Sequence, residues 1–87
     1  AWPAPVIRYL RGELDEKGLL IASTDKDKET ESRAYLGIDL LLKKRVDEAK
    51  AYLRWVKEHG NPGFIEYMLS IAELDRLEKP NSGDSKP

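Results

Sequence analysis

Apolar residues recur every three or four positions along most of this chain, a spacing that places them on one face of an α-helix. The pattern predicts two short helical segments within 1–12 and 13–23 and three longer helices at about 28–44, 46–58 and 63–79. We therefore expect an all-α fold of about five antiparallel helices in one domain, 1–79. The remaining residues, 80–87, hold nothing that a core would bury, and we expect a disordered tail there.

Residues that cap or stop helices mark the boundaries between these segments. Gly12 suits a left-handed stop after the first segment, and Asp15 suits an N-cap of the second. Gly18 lies inside that second helix and costs about 1 kcal/mol relative to alanine, so this helix should be short. Gly60 and Pro62 follow the fourth helix and end it. In the fifth helix, Met68 belongs to the apolar stripe that we expect to be buried.

Composition narrows the classes of function. Hydrophobic residues make up 40% of the 87 residues and charged residues 36%, with a net charge of −1. This balance creates no field that would attract nucleic acid. No apolar run approaches the roughly 20 residues that span a bilayer, so we expect a soluble chain without direct membrane insertion. The compartment, cytoplasm or periplasm, stays open because the absence of cysteine is compatible with both.

No group of residues indicates catalysis, a metal or a cofactor. Asp25, Asp27 and Glu29 imitate the first ligands of an EF-hand loop. Thr30 and Leu36 then occupy the positions that need glycine and glutamate, so calcium is not expected. A single histidine in the chain cannot form a histidine-based metal site by itself. We expect no catalytic residues, no metal and no cofactor.

The third and fourth predicted helices resemble a tetratricopeptide repeat (TPR), in which a large apolar residue and glycine in one helix meet a small residue in the next. In this chain the matching structural positions are Leu36, Gly37, Leu40, Ala49, Leu53 and Val56. Gly37 and Ala49 would allow the two helices to approach closely. The chain departs from the family pattern at Lys44, which stands where the inter-helix glycine is usual.

The flanking segments extend this resemblance. The lead-in WPAPVIRYLRGEL and the closing helix GFIEYMLSIAEL are similar to the C-terminal part of bacterial NlpI-type TPR lipoproteins. The resemblance implies a non-catalytic adaptor or scaffold, in which the flanking helices cap the hairpin. It also implies a partner-binding groove lined by the first helix of the repeat, at Glu31, Ala34, Ile38 and Leu41.

Two hypotheses of function follow from the sequence. The first is a protein–protein interaction module that binds a helix or peptide in an apolar groove. Its occupant would be the N-terminal segment, a second copy of the chain or a partner protein. The alternative is a small carboxylate-dependent enzyme that uses Glu31 or Glu66 with Asp39. Burial would raise the pKa of Asp39, unless this side chain faces solvent or pairs with a nearby Lys or Arg.

Overall fold

The computed structural model of this chain describes residues 2–78, and over that range the protein is all-α. Its helices are α1 (Ala4–Leu10), α2 (Glu16–Ala22), α3 (Lys26–Leu42), α4 (Val46–His59) and α5 (Ile65–Glu78). The prediction of an all-α fold with five helices is confirmed. The tail predicted at 80–87 lies outside the described residues.

Local hydrogen bonds explain where several helices begin and end. The Asp15 carboxylate accepts a hydrogen bond from the backbone N–H of Gly18 at 2.7 Å, and Asp25 accepts one from Lys28 at 2.8 Å. These N-caps satisfy backbone donors that the first turn of a helix leaves unpaired. Gly12 has a φ of +79° and ends the α1 segment in the left-handed region, as its position in the sequence predicts.

The α3–α4 hairpin is the centre of the molecule. A methyl group placed at Gly37 would lie 2.6 Å from Leu53 Cδ2 and 3.4 Å from the backbone oxygen of Ala49. A Cβ at this position would therefore displace the buried Leu53 side chain, which packs directly against the α3 backbone. The side chains at the other TPR-like positions are all buried: Leu36, Leu40, Ala49, Leu53 and Val56.

The open end of the hairpin is closed through Thr30. This buried hydroxyl donates to the Lys26 carbonyl at 2.8 Å and accepts from the Asn61 backbone N–H at 3.0 Å. A methyl group at Gly60 would lie 2.6 Å from the Val56 carbonyl oxygen, although Gly60 itself has an ordinary extended φ of −74°. Close packing, and not a left-handed backbone, therefore requires the glycine that ends α4.

The remaining helices pack on either side of this hairpin. Val6 of α1 and Leu19 of α2 form a buried cluster with Leu36, surrounded by half-buried aromatic rings. On the other side α5 contacts both α3 and α4. Because α4 runs back between them, α3 and α5 point in the same direction.

The close crossing predicts different outcomes for the same substitution at two alanines of α4. Ala49 is buried, whereas Ala51 is exposed. Ala49→Leu should lower the free energy of unfolding by about 1–3 kcal/mol, because the added carbons have no space beside Gly37. Ala51→Leu should change it by no more than about 0.5 kcal/mol. Urea denaturation of both variants makes the comparison, and equal stabilities would contradict a tight crossing.

A second prediction concerns Lys44, a non-glycine residue with a positive φ, of 64°. A left-handed backbone costs most L-residues about 1–2 kcal/mol, and glycine avoids that cost while losing some chain entropy. We expect Lys44→Gly to raise the free energy of unfolding by about 0.5–1 kcal/mol. Lys44→Ala removes the same charge but keeps Cβ, so thermal denaturation should show no comparable gain. A similar gain in both variants would mean that charge, not backbone strain, is responsible.

Candidate functional site

An open groove of about 340 Å³ runs between α3 and α5. Its α3 side is formed by Ile38, Leu41 and Leu42, and its α5 side by Leu69, Glu73 and Arg76. Ile38 and Leu41 are half-buried and form the floor of the groove, whereas Leu42 is exposed. The groove is therefore apolar over most of its length and carries charge mainly along α5.

Large apolar side chains stand exposed beside this groove. Leu42 is 79% exposed, Ile65 and Met68 are each 66% exposed, and Leu69 is 49% exposed. Ile65, Met68 and Leu69 follow the i, i+3, i+4 spacing and so lie together on one face of α5. We call the groove and this exposed face of α5 together the α3/α5 surface. A contiguous apolar surface of this kind is typical of an interaction site, unlike single exposed apolar residues.

Of the four groove positions predicted from the sequence, two line the groove and two do not. Ile38 and Leu41 line the groove. Ala34 is fully buried and offers no surface to a partner, while Glu31 accepts a hydrogen bond from the Trp2 indole at 2.6 Å. α3 is thus rotated so that only two of the four positions face the groove.

Leu42, Leu69 and Met68 complete the surface, although their positions in the sequence do not mark them as groove residues. Leu42 lies at the end of α3, and Leu69 belongs to the opposite side of α5 from the buried Leu74. Met68 was expected in the buried stripe of the fifth helix, but its side chain is exposed, so that prediction is wrong. The signal was present, because a helix that is apolar on more than one face contacts more than one neighbour.

Asp39, which both forms of the enzyme hypothesis use, is bound by other side chains. Tyr9 donates its hydroxyl to Asp39 at 2.6 Å, and Lys43 lies 2.8 Å from the same carboxylate oxygen. Burial by itself raises the pKa of Asp39, but the hydrogen bonds from Lys43 and Tyr9 outweigh it and lower that pKa below its usual value. The raised pKa considered from the sequence is therefore wrong, and the alternative of pairing with a lysine is confirmed.

A second tyrosine–carboxylate pair lies close to the first. The Tyr52 hydroxyl donates to Glu16 at 2.6 Å and so joins α4 to α2. Burial, together with the hydrogen bond to Glu16, raises the pKa of Tyr52 to about 12. Burial and the bond to Asp39 likewise raise the pKa of Tyr9. Both tyrosines thus remain protonated donors over a wide pH range and attach the N-terminal helices to the hairpin.

Two further kinds of site were sought among residues 2–78. Within that range no cluster of three or more His, Asp or Glu side chains could hold a metal ion. None of the helices described there has the length and apolar character required to cross a membrane.

Comparisons with protein-family models, with curated proteins and with solved structures find no match for this chain. The relationship to TPR proteins therefore remains a hypothesis that rests on the residues of the α3–α4 hairpin and its flanking segments.

Because of the Tyr52–Glu16 hydrogen bond, we expect the free energy of unfolding to fall as the pH rises above about 10. The folded-state pKa of about 12 lies above the ordinary value of 10.0. The bond therefore stabilises the fold fully below about pH 10 and is lost as the pH rises towards 12. Tyr52→Phe should lower the free energy of unfolding at pH 8 by about 1–2 kcal/mol and by much less at pH 12.

Urea denaturation at both pH values measures this difference. Tyr67→Phe is the control, because the Tyr67 hydroxyl makes only an exposed bond of 3.3 Å to the Lys57 carbonyl. A loss in Tyr52→Phe that is as large at pH 12 as at pH 8 would contradict the assignment.

Proposed function

We propose that this chain is a non-catalytic protein-interaction module that binds an α-helix of another protein on the α3/α5 surface. The observation that carries the proposal is the exposed apolar face of α5, Ile65, Met68 and Leu69, beside a groove with an apolar floor. Helix-in-groove recognition uses apolar anchors at this i, i+3, i+4 spacing. A helix laid in the groove would place its own anchors against Ile38 and Leu41.

Burial of the exposed side chains on this surface would contribute favourably to binding. Complete burial of a Leu, Ile or Met side chain is worth about 1.5–3 kcal/mol. Leu42, Ile65 and Met68 keep more than half of their surface exposed, so a partner can still gain most of that amount at each. The three contributions together amount to about 3–6 kcal/mol, which is comparable to the lower estimates, about 4 kcal/mol, of the cost of bringing two molecules together.

The packing of α5 on the α3–α4 hairpin also favours binding. Leu69 lies on a helix that contacts both α3 and α4, and the hairpin beneath is closed by Thr30 and by the crossing at Gly37. A surface that is already ordered loses little conformational entropy when a partner arrives. The TPR resemblance implies the same role, although it placed the groove on partly different residues.

The alternative, a carboxylate-dependent enzyme, has less support. A general base at neutral pH needs a pKa close to the working pH, whereas the pKa of Asp39 is lowered. Trp2 donates a hydrogen bond to Glu31, and Tyr9 donates one to Asp39. Both carboxylates therefore hold the N-terminal residues against α3. These two hydrogen bonds give Glu31 and Asp39 a structural role.

An NMR titration with an uncharged synthetic helix tests the proposal. The probe is an amphipathic peptide of Leu, Ala and Gln, about 18 residues or five turns long. We expect saturable shifts of backbone amides confined to 38–42 and 65–76. Shifts centred on α1 and α2, or none at millimolar peptide, would contradict the proposed site.

A double substitution supplies the matched comparison. Leu42→Gln with Leu69→Gln removes apolar side chains from both walls of the groove and should weaken peptide binding at least about tenfold. The control, Leu10→Gln with Ile21→Gln, changes two exposed apolar residues of α1 and α2 and should bind as the unmodified chain does.

A further inference from the structure

Acidic side chains border the α3/α5 surface. Helix α5 carries Glu66, Glu73, Asp75 and Glu78 but only one basic residue, Arg76, so its net charge is −3. The whole chain carries only −1. Arg54 of α4 pairs with Glu78, and the remaining acidic residues leave negative charge on the helix that also carries the exposed apolar face.

The placement of these charges brings several of them against the groove. Glu73 lines the groove itself. Glu66 precedes Leu69 by three residues and Glu73 by seven, so helical spacing places it on the same side of α5, nearer the start of the helix. Glu66 and Glu73 thus lie about two turns apart along the side of α5 that borders the groove.

The one basic residue of this border is already occupied. Arg76 donates from Nη2 to the Glu73 carboxylate at 2.7 Å and from Nε at 3.1 Å. Because this pair compensates Glu73, the uncompensated acidic residues beside the exposed apolar face of α5 are Glu66 on one side and Asp75 on the other. An incoming helix would therefore meet apolar residues at the centre and negative charge on both sides.

On the basis of the helix-binding function proposed above, we propose that the partner is a basic amphipathic helix, which has an apolar face flanked by lysine or arginine. Such a helix buries its apolar face in the groove while its cations approach Glu66 and Asp75. Complementary charge of this kind raises the association rate and selects among partners that are equally apolar.

The same charges disfavour the other occupants of an apolar face. A second copy of this chain, bound face to face, would bring two α5 helices of net charge −3 together, and like charges repel. An anionic lipid surface is disfavoured for the same reason, because it attracts basic segments. The chemistry of the border therefore points to a cationic protein segment.

Three synthetic peptides with a common length test this inference by fluorescence anisotropy. The first has a leucine face flanked by lysine, the second has the same face flanked by glutamate, and the third is a scrambled form of the first. At 0.1 M salt we expect the basic peptide to bind at least about tenfold more tightly than the acidic one. At 1 M salt the Debye length falls from about 10 Å to about 3 Å, and the difference should largely disappear.

Neutralising the border separates charge from apolar contact. Glu66→Gln with Asp75→Asn should weaken the basic peptide several-fold and leave the uncharged Leu/Ala/Gln peptide unaffected. Glu13→Gln with Asp47→Asn is the control, since both residues are exposed and lie outside α5 and the groove. It removes the same total charge and should leave the affinity for both peptides unchanged.

The outcomes distinguish the failure of this inference from the failure of the proposed function. If the basic and acidic peptides bind equally, and Leu42→Gln with Leu69→Gln abolishes both, helix binding stands and the inferred charge preference is overturned. If no peptide with a leucine face binds, both are overturned.

Two further results would also overturn the inference. One is equal binding of the scrambled basic peptide, which would mean that charge acts without a helical apolar face. The other is a doubled mass in light scattering that Leu42→Gln with Leu69→Gln returns to a monomer, which would make a second copy the occupant.

Discussion

The close crossing of α3 and α4 is the contact on which the rest of this structure depends. Because Gly37 has no side chain, Leu53 packs directly against the α3 backbone, and the surrounding leucines are buried between the helices. Thr30 then ties the far end of the pair to the segment that follows α4. The result is a rigid two-helix platform, and each remaining helix is ordered by the face of that platform on which it docks.

The two faces of the platform are covered by different physical means. On the N-terminal side, Val6 and Leu19 of the short helices pack on Leu36, and hydrogen bonds from aromatic side chains to carboxylates, such as Tyr9–Asp39 and Tyr52–Glu16, add to this contact. On the other side α5 packs through apolar residues such as Leu74. Since α5 is apolar on its outer face as well, its docking leaves Leu69 and its neighbours exposed beside the groove. The candidate site is therefore a consequence of how α5 completes the fold.

The residues of the candidate site show how far sequence reasoning extends. Ile38 and Leu41 were predicted because apolar side chains at helical spacing on the first helix of a TPR-like pair face the groove. Ala34 satisfies the same spacing but is buried, because the width of a buried stripe depends on how the neighbouring helices are placed. Leu42 and Leu69 were missed for the complementary reason: nothing in their spacing separates an exposed apolar residue from a buried one.

The sequence by itself determined the features that act over a few residues. These include the number of helices, the N-cap at Asp15 and the left-handed stop at Gly12, since each depends mainly on residues close by in the chain. Only the tertiary structure decided that Tyr9, 30 residues away, donates to Asp39 and helps to lower its pKa. It likewise decided which apolar face of α5 remained exposed. Long-range contacts depend on how helices rotate and dock, and the helical period alone leaves that rotation open.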